Sequence, residues 1–312
     1  MCIASLKRQN YPNDIEILLI NDQSEDNSVM IAKQAASECP LKIKILHSNY
    51  IATRNLTSKQ QAIDFGIRAA SNECIVLTDA DMQFTPDWLA SLYDALPPDT
   101  DLAYGHSAIR GKQSFFPLFQ SFQLEFLFAV AAIFHYCGIV GSCMGNNLIV
   151  RKKAYLECGG YNSIGYTMTE DRALLRFFLQ HKRKVRITSP FIPTAYTFPH
   201  ESLYQFVLQA KRWIFGGISN GKNLLITGIL FSFYNIISVL VLSGIVTGIN
   251  RIFALCDFFL LWICIAISFH KNRSPVSAIL FPFYYLLLLS EIVILPILLL
   301  TGKKITWKDR SL

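Results

Sequence analysis

Two aspartates separated by one residue directly follow an apolar stretch of the chain. The stretch comprises residues 74–77, and Asp79 and Asp81 form a D-x-D pattern in the turn after it. Two carboxylates at the end of a buried strand suit a hard divalent ion, Mg²⁺ or Mn²⁺, whose other ligands are phosphate oxygens. A plain turn or a helix cap uses the same residue types, so the pair alone leaves both interpretations open.

A third aspartate and a lysine occupy comparable positions. Asp22 follows the apolar run of residues 15–20, and Lys59 stands at the start of a predicted helix. A carboxylate at the end of a strand is well placed to bind a nucleotide base or ribose, and Lys59 could pair with the same nucleotide. An N-terminal helix cap and a solvated lysine are the alternatives.

An acidic pair, Glu170 and Asp171, opens a predicted helix after the glycine pair at residues 159–160. Acidic residues at a helix start are favourable to the helix dipole whatever their function. The functional interpretation makes Asp171 a general base that takes a proton from an acceptor hydroxyl.

Gln209, Arg212 and Trp213 are spaced to lie on one face of a helix. Arginine there could neutralise a diphosphate leaving group, and tryptophan offers a flat surface to a sugar or an acceptor. The alternative is an amphipathic helix whose Trp and Arg anchor it at lipid headgroups.

Strands that alternate with helices must position these residues. Apolar runs at 15–20, 42–46 and 74–77 alternate with helical segments at 27–37 and 58–70. This order predicts a mostly parallel α/β sheet, in which ligands bind at the carboxyl ends of the strands. The chain then continues with a helix after Trp88, a strand at 102–109, an apolar helix within 115–140, and a turn at 145–147 before a strand at 148–150. The turn either lines the acceptor side or is a plain turn.

Composition separates the chain into two parts. Hydrophobic residues make up 52% and charged residues 16%, and the apolar excess is concentrated after residue 221. We predict a cytosolic domain at 1–221 and a membrane region at 222–312. Its apolar spans at 224–249, 252–269 and 278–300 approach or exceed the roughly 20 residues that cross a bilayer. The helix within 115–140 is expected to lie at the membrane interface or inside the domain.

Charge and cysteine content restrict the partners. The net charge is +7, but the basic residues form no stripe with interleaved aromatics, so we expect no nucleic-acid binding. Basic clusters beside apolar spans more often face anionic membrane lipids. The eight cysteines show no CxxC pair, which favours reduced thiols in a cytosol-facing protein.

In this order, the elements resemble the family 2 glycosyltransferases, inverting enzymes with the Rossmann-like GT-A fold. The matching pieces are residues 17–26, Lys59 with Ala62 and Gly66, residues 78–81, residues 159–161 with 170–171, and residues 209–213. The resemblance implies a nucleotide-diphosphate sugar as donor, with UDP the expected nucleotide, and C-terminal transmembrane helices after the GT-A domain.

The resemblance also implies a role for each matching residue. Donor binding falls to Asp22, Lys59, Asp79, Asp81 and the QxxRW residues Gln209, Arg212 and Trp213, with Asp81 holding Mg²⁺ or Mn²⁺. Asp171 would be the catalytic base, with Glu170 beside it.

The end of the chain bears on the acceptor. Residues 306–310 are similar to the W-[KR]-G-R ending of family members that glycosylate lipids, although Asp309 replaces the glycine. We therefore expect a lipid or lipid-linked acceptor and an integral protein of the bacterial cytoplasmic membrane, with the catalytic domain in the cytoplasm. A processive polysaccharide synthase of the same family is the alternative within this chemistry.

The beginning of the chain departs from the family pattern. Residues 1–10 match the helix that follows the first strand of family members, so that strand is expected to be missing. An inactive, truncated membrane scaffold is the resulting alternative from another functional class.

Overall fold

The computed structural model describes residues 1–38, 41–51, 55–112, 114–188 and 194–219, together with scattered residues between 233 and 311. The chain forms two compact units. The first comprises Met1–Ala108 and Ala131–Phe198, and the second comprises Ile109–Val130 and Pro199–Leu312. The boundary expected at residue 221 stays a prediction.

The regular elements follow the predicted alternation of helices and strands. The described helices are α1 (Cys2–Leu6), α2 (Ser28–Ser37), α3 (Ser58–Ala69), α4 (Trp88–Asp94), α5 (Phe115–Tyr136), α6 (Lys152–Glu157), α7 (Gly160–Ile164), α8 (Glu170–Gln180) and α9 (Leu203–Ser219). The described strands are β1 (Glu16–Asn21), β2 (Lys42–His47), β3 (Cys74–Leu77), β4 (Gln83–Phe84), β5 (Leu102–Tyr104), β6 (Ser107–Ile109), β7 (Leu148–Arg151), β8 (Val185–Ile187), β9 (Ala195–Thr197), β10 (Thr306–Trp307) and β11 (Arg310–Ser311).

The α/β class is confirmed, but the described sheets are mixed rather than mostly parallel. Strands β1 and β2 form a parallel pair of their own. In the sheet ordered β3-β7-β5-β8, strand β7 runs antiparallel to both neighbours, whereas β5 and β8 are parallel. A third sheet has the order β4-β9-β6, with β4 and β9 antiparallel. Strand β7 enters after a long segment, and the local sequence pattern does not report the direction in which such a strand returns.

The prediction of a single strand at residues 102–109 is wrong. The structure divides this segment into β5 and β6, which belong to different sheets. Asn147 stands at the break. Its carbonyl accepts from the Gly105 amide at 2.8 Å, and its side-chain amide donates to the His106 carbonyl at 3.0 Å. A Cβ at Gly105 would lie 2.7 Å from the Asn147 side chain, so the close approach requires glycine there.

The core of the first unit is centred on Trp88, which is 1% exposed. Its ring stacks on Phe84 with the centroids 3.7 Å apart, and its Nε1–H donates to Asn147 Oδ1 at 2.8 Å. A buried tryptophan keeps its full apolar contact only if its N–H finds such an acceptor. Asn147 therefore connects the core to the turn at 145–147.

The second unit contains α9 and the first part of α5. Phe116 and Phe119 pack on Phe206, and Phe122 stacks on Tyr284. By length and composition α5 can cross a membrane, a criterion that core helices also satisfy, and 67% of its most apolar window is buried. Most residues of the predicted spans at 224–249, 252–269 and 278–300 lie outside the described residues, and the spans stay predictions.

Candidate active site

The ammonium group of Lys59 joins two acidic residues from distant parts of the chain. Its Nζ lies 3.1 Å from Asp79 Oδ1 and 2.6 Å from Glu170 Oε1. Lys59 is in the first turn of α3, Asp79 follows β3, and Glu170 begins α8. The first unit thus brings together the turn expected to bind the donor and the helix expected to carry the base.

This ion-pair bridge matters for placement more than for stability. The Lys59 and Asp79 side chains are 44% and 40% exposed, so water screens their pair, and it contributes at most about 1 kcal/mol to folding. Burial alone would lower the pKa of Lys59, but the charges of Glu170 and Asp79 outweigh it and hold that pKa above its ordinary value. Lys59 is therefore a permanent cation between the two acids.

Asp171 is half-buried, and two backbone amides orient its carboxylate. Gly145 N donates to Asp171 Oδ2 at 3.0 Å, and Arg172 N donates to Oδ1 at 2.7 Å. Removal from water, followed by the neighbouring charge of Glu170, raises the pKa of Asp171 to about 6, although these amide bonds and Lys59 oppose the rise. A carboxylate that gains a proton near pH 6 is suited to general base catalysis near neutrality.

The turn at residues 145–147 links the D-x-D turn to this carboxylate. Thr78, the residue before Asp79, donates its hydroxyl to the Asn146 carbonyl at 2.8 Å. Ser107 donates its hydroxyl to Asn146 Oδ1, also at 2.8 Å. Since Gly145 contacts Asp171, the turn at 145–147 fixes the D-x-D turn and Asp171 relative to each other. The sequence pattern did not reveal this role.

Gly145→Ala is expected to lower transfer by at least about tenfold while the affinity for nucleotide changes by less than about twofold. The new Cβ would lie 2.7 Å from Asp171 Cβ and 3.0 Å from Oδ2, so the carboxylate must move. Displacements of that size cost up to about 100-fold in rate. Steady-state transfer and nucleotide titration measure the two effects. The control is Ser142→Ala, an exposed change in the same loop, and wild-type transfer by Gly145→Ala would refute the prediction.

Asp22 and Asp81 occupy the expected strand ends. Asp22 directly follows β1, and Ser48 Oγ donates to its Oδ1 at 3.5 Å. Asp81 is exposed in the turn between β3 and β4. The donor-binding roles of both residues stay predictions.

The carboxylates of Asp79 and Asp81 fit a metal ion that takes its other ligands from a bound diphosphate, rather than an ion held by protein side chains alone. Among the residues that the structure describes, no group of three His, Cys, Asp or Glu side chains could hold a metal ion. Asp79 and Asp81 supply hard oxygen ligands, as Mg²⁺ and Mn²⁺ require, and the remaining positions suit diphosphate oxygens and water.

The QxxRW residues lie on α9 in the second unit, where Gln209 is held by a polar network. His200 contacts Gln209 Oε1 through its Nε2. The buried Gln120 of α5 in turn binds the backbone of His200 twice, donating to its carbonyl at 3.0 Å and accepting from its amide at 2.7 Å. The predicted helix is confirmed, and the roles of Gln209, Arg212 and Trp213 toward a donor stay predictions.

Comparison with known proteins bears on the family of the chain. The model for "Glycosyl transferase family 2" matches residues 1–159, about half of the chain. Curated relatives include the dolichol-phosphate mannosyltransferase of Pyrococcus furiosus, 27% identical over 107 residues. They also include the "Putative glycosyltransferase EpsH" of Bacillus subtilis strain 168, 32% identical over 101 residues, and the "Uncharacterized glycosyltransferase YibD" of Escherichia coli K12, 33% identical over 103 residues.

The matched segments cover 34%, 32% and 33% of this chain, but only 27%, 27% and 28% of those proteins. Among solved structures, residues 1–349 of Staphylococcus aureus TarS in complex with UDP are similar with a TM-score of 0.40 and 15% identity. That similarity covers 68% of this chain and 59% of the TarS chain. On the match of the family model to half of its residues, the chain belongs to glycosyl transferase family 2.

Proposed function

We propose that the chain is an inverting glycosyltransferase that moves a sugar from a nucleotide-diphosphate sugar, with UDP as the nucleotide, to a lipid or lipid-linked acceptor at a membrane. The two ion pairs of Lys59 are the main support for the proposal. The same ammonium group contacts Asp79 of the D-x-D turn and Glu170, the neighbour of the proposed base Asp171. If these acidic residues served only as a turn or a helix cap, they would not need a shared lysine partner.

On the donor side, Asp22 would bind the base or ribose, and Asp79 and Asp81 would form the metal and diphosphate site, in which Asp81 would hold Mg²⁺ or Mn²⁺. A bound metal ion offsets the charge of the diphosphate leaving group. Lys59, already 3.1 Å from Asp79, adds positive charge on the same side. Gln209, Arg212 and Trp213 are assigned to donor binding from the family resemblance.

On the acceptor side, Asp171 removes the proton from an acceptor hydroxyl as its oxygen attacks the anomeric carbon. The bond from that carbon to the diphosphate breaks on the opposite face, so the configuration inverts. The amides of Gly145 and Arg172 orient the carboxylate, and its raised pKa suits it to accept a proton near neutrality.

Transfer is expected to rise with pH and level off above about pH 7. Asp171 must be ionised to accept a proton, and its pKa is raised to about 6. Below that pKa the ionised fraction falls roughly tenfold per pH unit. The measurement is kcat/KM between pH 5 and 8, which reports the pKa of the free enzyme, with circular dichroism at each pH to confirm the fold. A flat profile between pH 5 and 7 would contradict the role of Asp171.

The membrane location and the acceptor belong to the proposal as well. Residues 222–312 are assigned to the membrane on their apolar composition. Labelled sugar should appear in the organic phase of a lipid extract. Label in an insoluble polymer instead would identify a polysaccharide synthase with the same donor chemistry.

Nucleotide binding tests the donor site without any acceptor. Calorimetric titration of the full chain with UDP should give saturable heat with Mn²⁺ and much weaker binding with EDTA. Heat no greater than buffer dilution in both conditions would favour an inactive scaffold.

A further inference from the structure

Helix α3 buries polar side chains on the face that a core helix normally reserves for apolar ones. Gln60 and Asp64 are four residues apart and 0% and 1% exposed, so they lie on one face. Burying an amide or a carboxylate is costly unless each is hydrogen-bonded. Their partners therefore indicate the purpose of that face.

Gln60 holds the loop that leads to α8. Its Nε2 donates to the Gly165 carbonyl at 2.8 Å, and its Oε1 accepts from the Thr167 amide at 3.3 Å. These two residues precede Glu170 by only five and three positions. One buried side chain thus fixes the path of the backbone just before the acidic pair.

Asp64 reaches the same helix through two tyrosines. Tyr155 donates its hydroxyl to Asp64 Oδ1 at 2.8 Å and accepts from the Tyr161 amide at 3.0 Å. The Tyr161 hydroxyl donates to the Glu170 carbonyl at 3.3 Å. Both tyrosines are 0% exposed. At the outer end of this series of hydrogen bonds, Arg68 Nε lies 3.1 Å from Asp64 Oδ2.

The glycine between the tyrosines preserves this connection. Gly160 has φ of +62°, and a Cβ there would lie 2.7 Å from the ring of Tyr155. Both the backbone angle and the close approach disfavour any other residue.

We infer that Gln60 and Asp64 are positioning residues for the catalytic base, acting through the loop at 165–167 and through Tyr155 and Tyr161. Both side chains are buried, and they act by fixing the start of α8, which carries Glu170 and Asp171. This inference rests on the proposed function. Helix α3 therefore presents Lys59 to the D-x-D turn and also sets the position of the proposed base, Asp171.

The test removes single hydroxyls from the full chain with Tyr155→Phe and Tyr161→Phe. The readouts are kcat for labelled sugar transfer, the Kd for UDP with Mn²⁺, and the melting temperature. We expect kcat to fall by about tenfold or more, because positioning errors act on the rate of the chemical step, while Kd changes by less than about twofold. The control is Tyr93→Phe, which alters a tyrosine that is 45% exposed.

A role limited to folding would lower the melting temperature but leave kcat per folded molecule unchanged, and that result overturns the inference. So would a loss confined to donor affinity. If Tyr155→Phe does not fold, Tyr161→Phe decides alone, since it leaves the bond from Tyr155 to Asp64 intact.

Failure of the proposed function is separable, because wild-type protein would then neither transfer sugar nor bind UDP. In that event amide hydrogen exchange decides. Exchange that becomes faster at residues 169–173 of Tyr161→Phe, but not in α4, supports the positioning role, and unchanged exchange overturns it.

Discussion

Asp171→Asn is expected to lower kcat by about 10²- to 10⁴-fold, the range typical of removing a general base. Asparagine has nearly the shape of aspartate and still offers an oxygen to the Gly145 amide, which donates to Asp171 at 3.0 Å. It cannot accept the proton of an acceptor hydroxyl. The affinity for UDP with Mn²⁺ should change by less than about twofold, because Lys59 and Asp79 are untouched.

Kinetics of labelled sugar transfer and calorimetric titration separate these two outcomes. The matched control is Asp94→Asn, the same chemical change at an exposed position on α4. Transfer within twofold of wild type in Asp171→Asn would remove this residue from the role of base. Loss of UDP affinity in parallel with kcat would instead assign Asp171 to the donor.

Asp79→Asn and Asp81→Asn are expected to weaken metal-dependent binding of UDP by about 30-fold or more. Once a bound diphosphate and metal ion exclude water from the turn, removing one member of that charge pair costs about 2 to 5 kcal/mol, and each 1.4 kcal/mol is about tenfold in affinity. In Asp79→Asn the ammonium of Lys59 keeps its contact with Glu170 at 2.6 Å, so the base side should remain in place. The measurement is Kd for UDP with Mn²⁺ and with EDTA.

EDTA provides an internal check on the same experiment. If both aspartates act through a metal ion, wild type in EDTA should bind UDP about as weakly as either variant does in Mn²⁺, and EDTA should weaken the variants little further. Asp14→Asn, an exposed change before β1, is the control. Wild-type affinity in both variants would contradict a metal and diphosphate site at this turn.

The sequence predicted the local parts of the site well. The strand at 74–77 and the helices that begin near Lys59 and Glu170 all agree with the structure. Their signals are local, since apolar periodicity and acidic residues at a helix start depend on near neighbours. The order of these elements gave the resemblance to the family, and the resemblance gave the roles expected of Asp22, Asp79, Asp81 and Asp171.

The contacts between those parts were not predictable. Lys59 was expected to pair with a nucleotide, and the structure shows it between Asp79 and Glu170, the latter 111 positions later in the chain. Nothing in the pattern around Tyr155 or Asp64 indicates that they meet across 91 residues. Such pairings depend on how the elements pack, as does the direction of β7.

The most direct test of the account is the transfer of labelled sugar from UDP-sugars by membranes that contain the full chain, compared with membranes that contain an Asp81→Asn and Asp171→Asn double variant. We predict label in the organic phase with at least one UDP-sugar, dependent on Mn²⁺ or Mg²⁺, for the wild-type chain alone. Equal label from the two preparations, or no label in either the organic or the polymer fraction with any UDP-sugar, would contradict it.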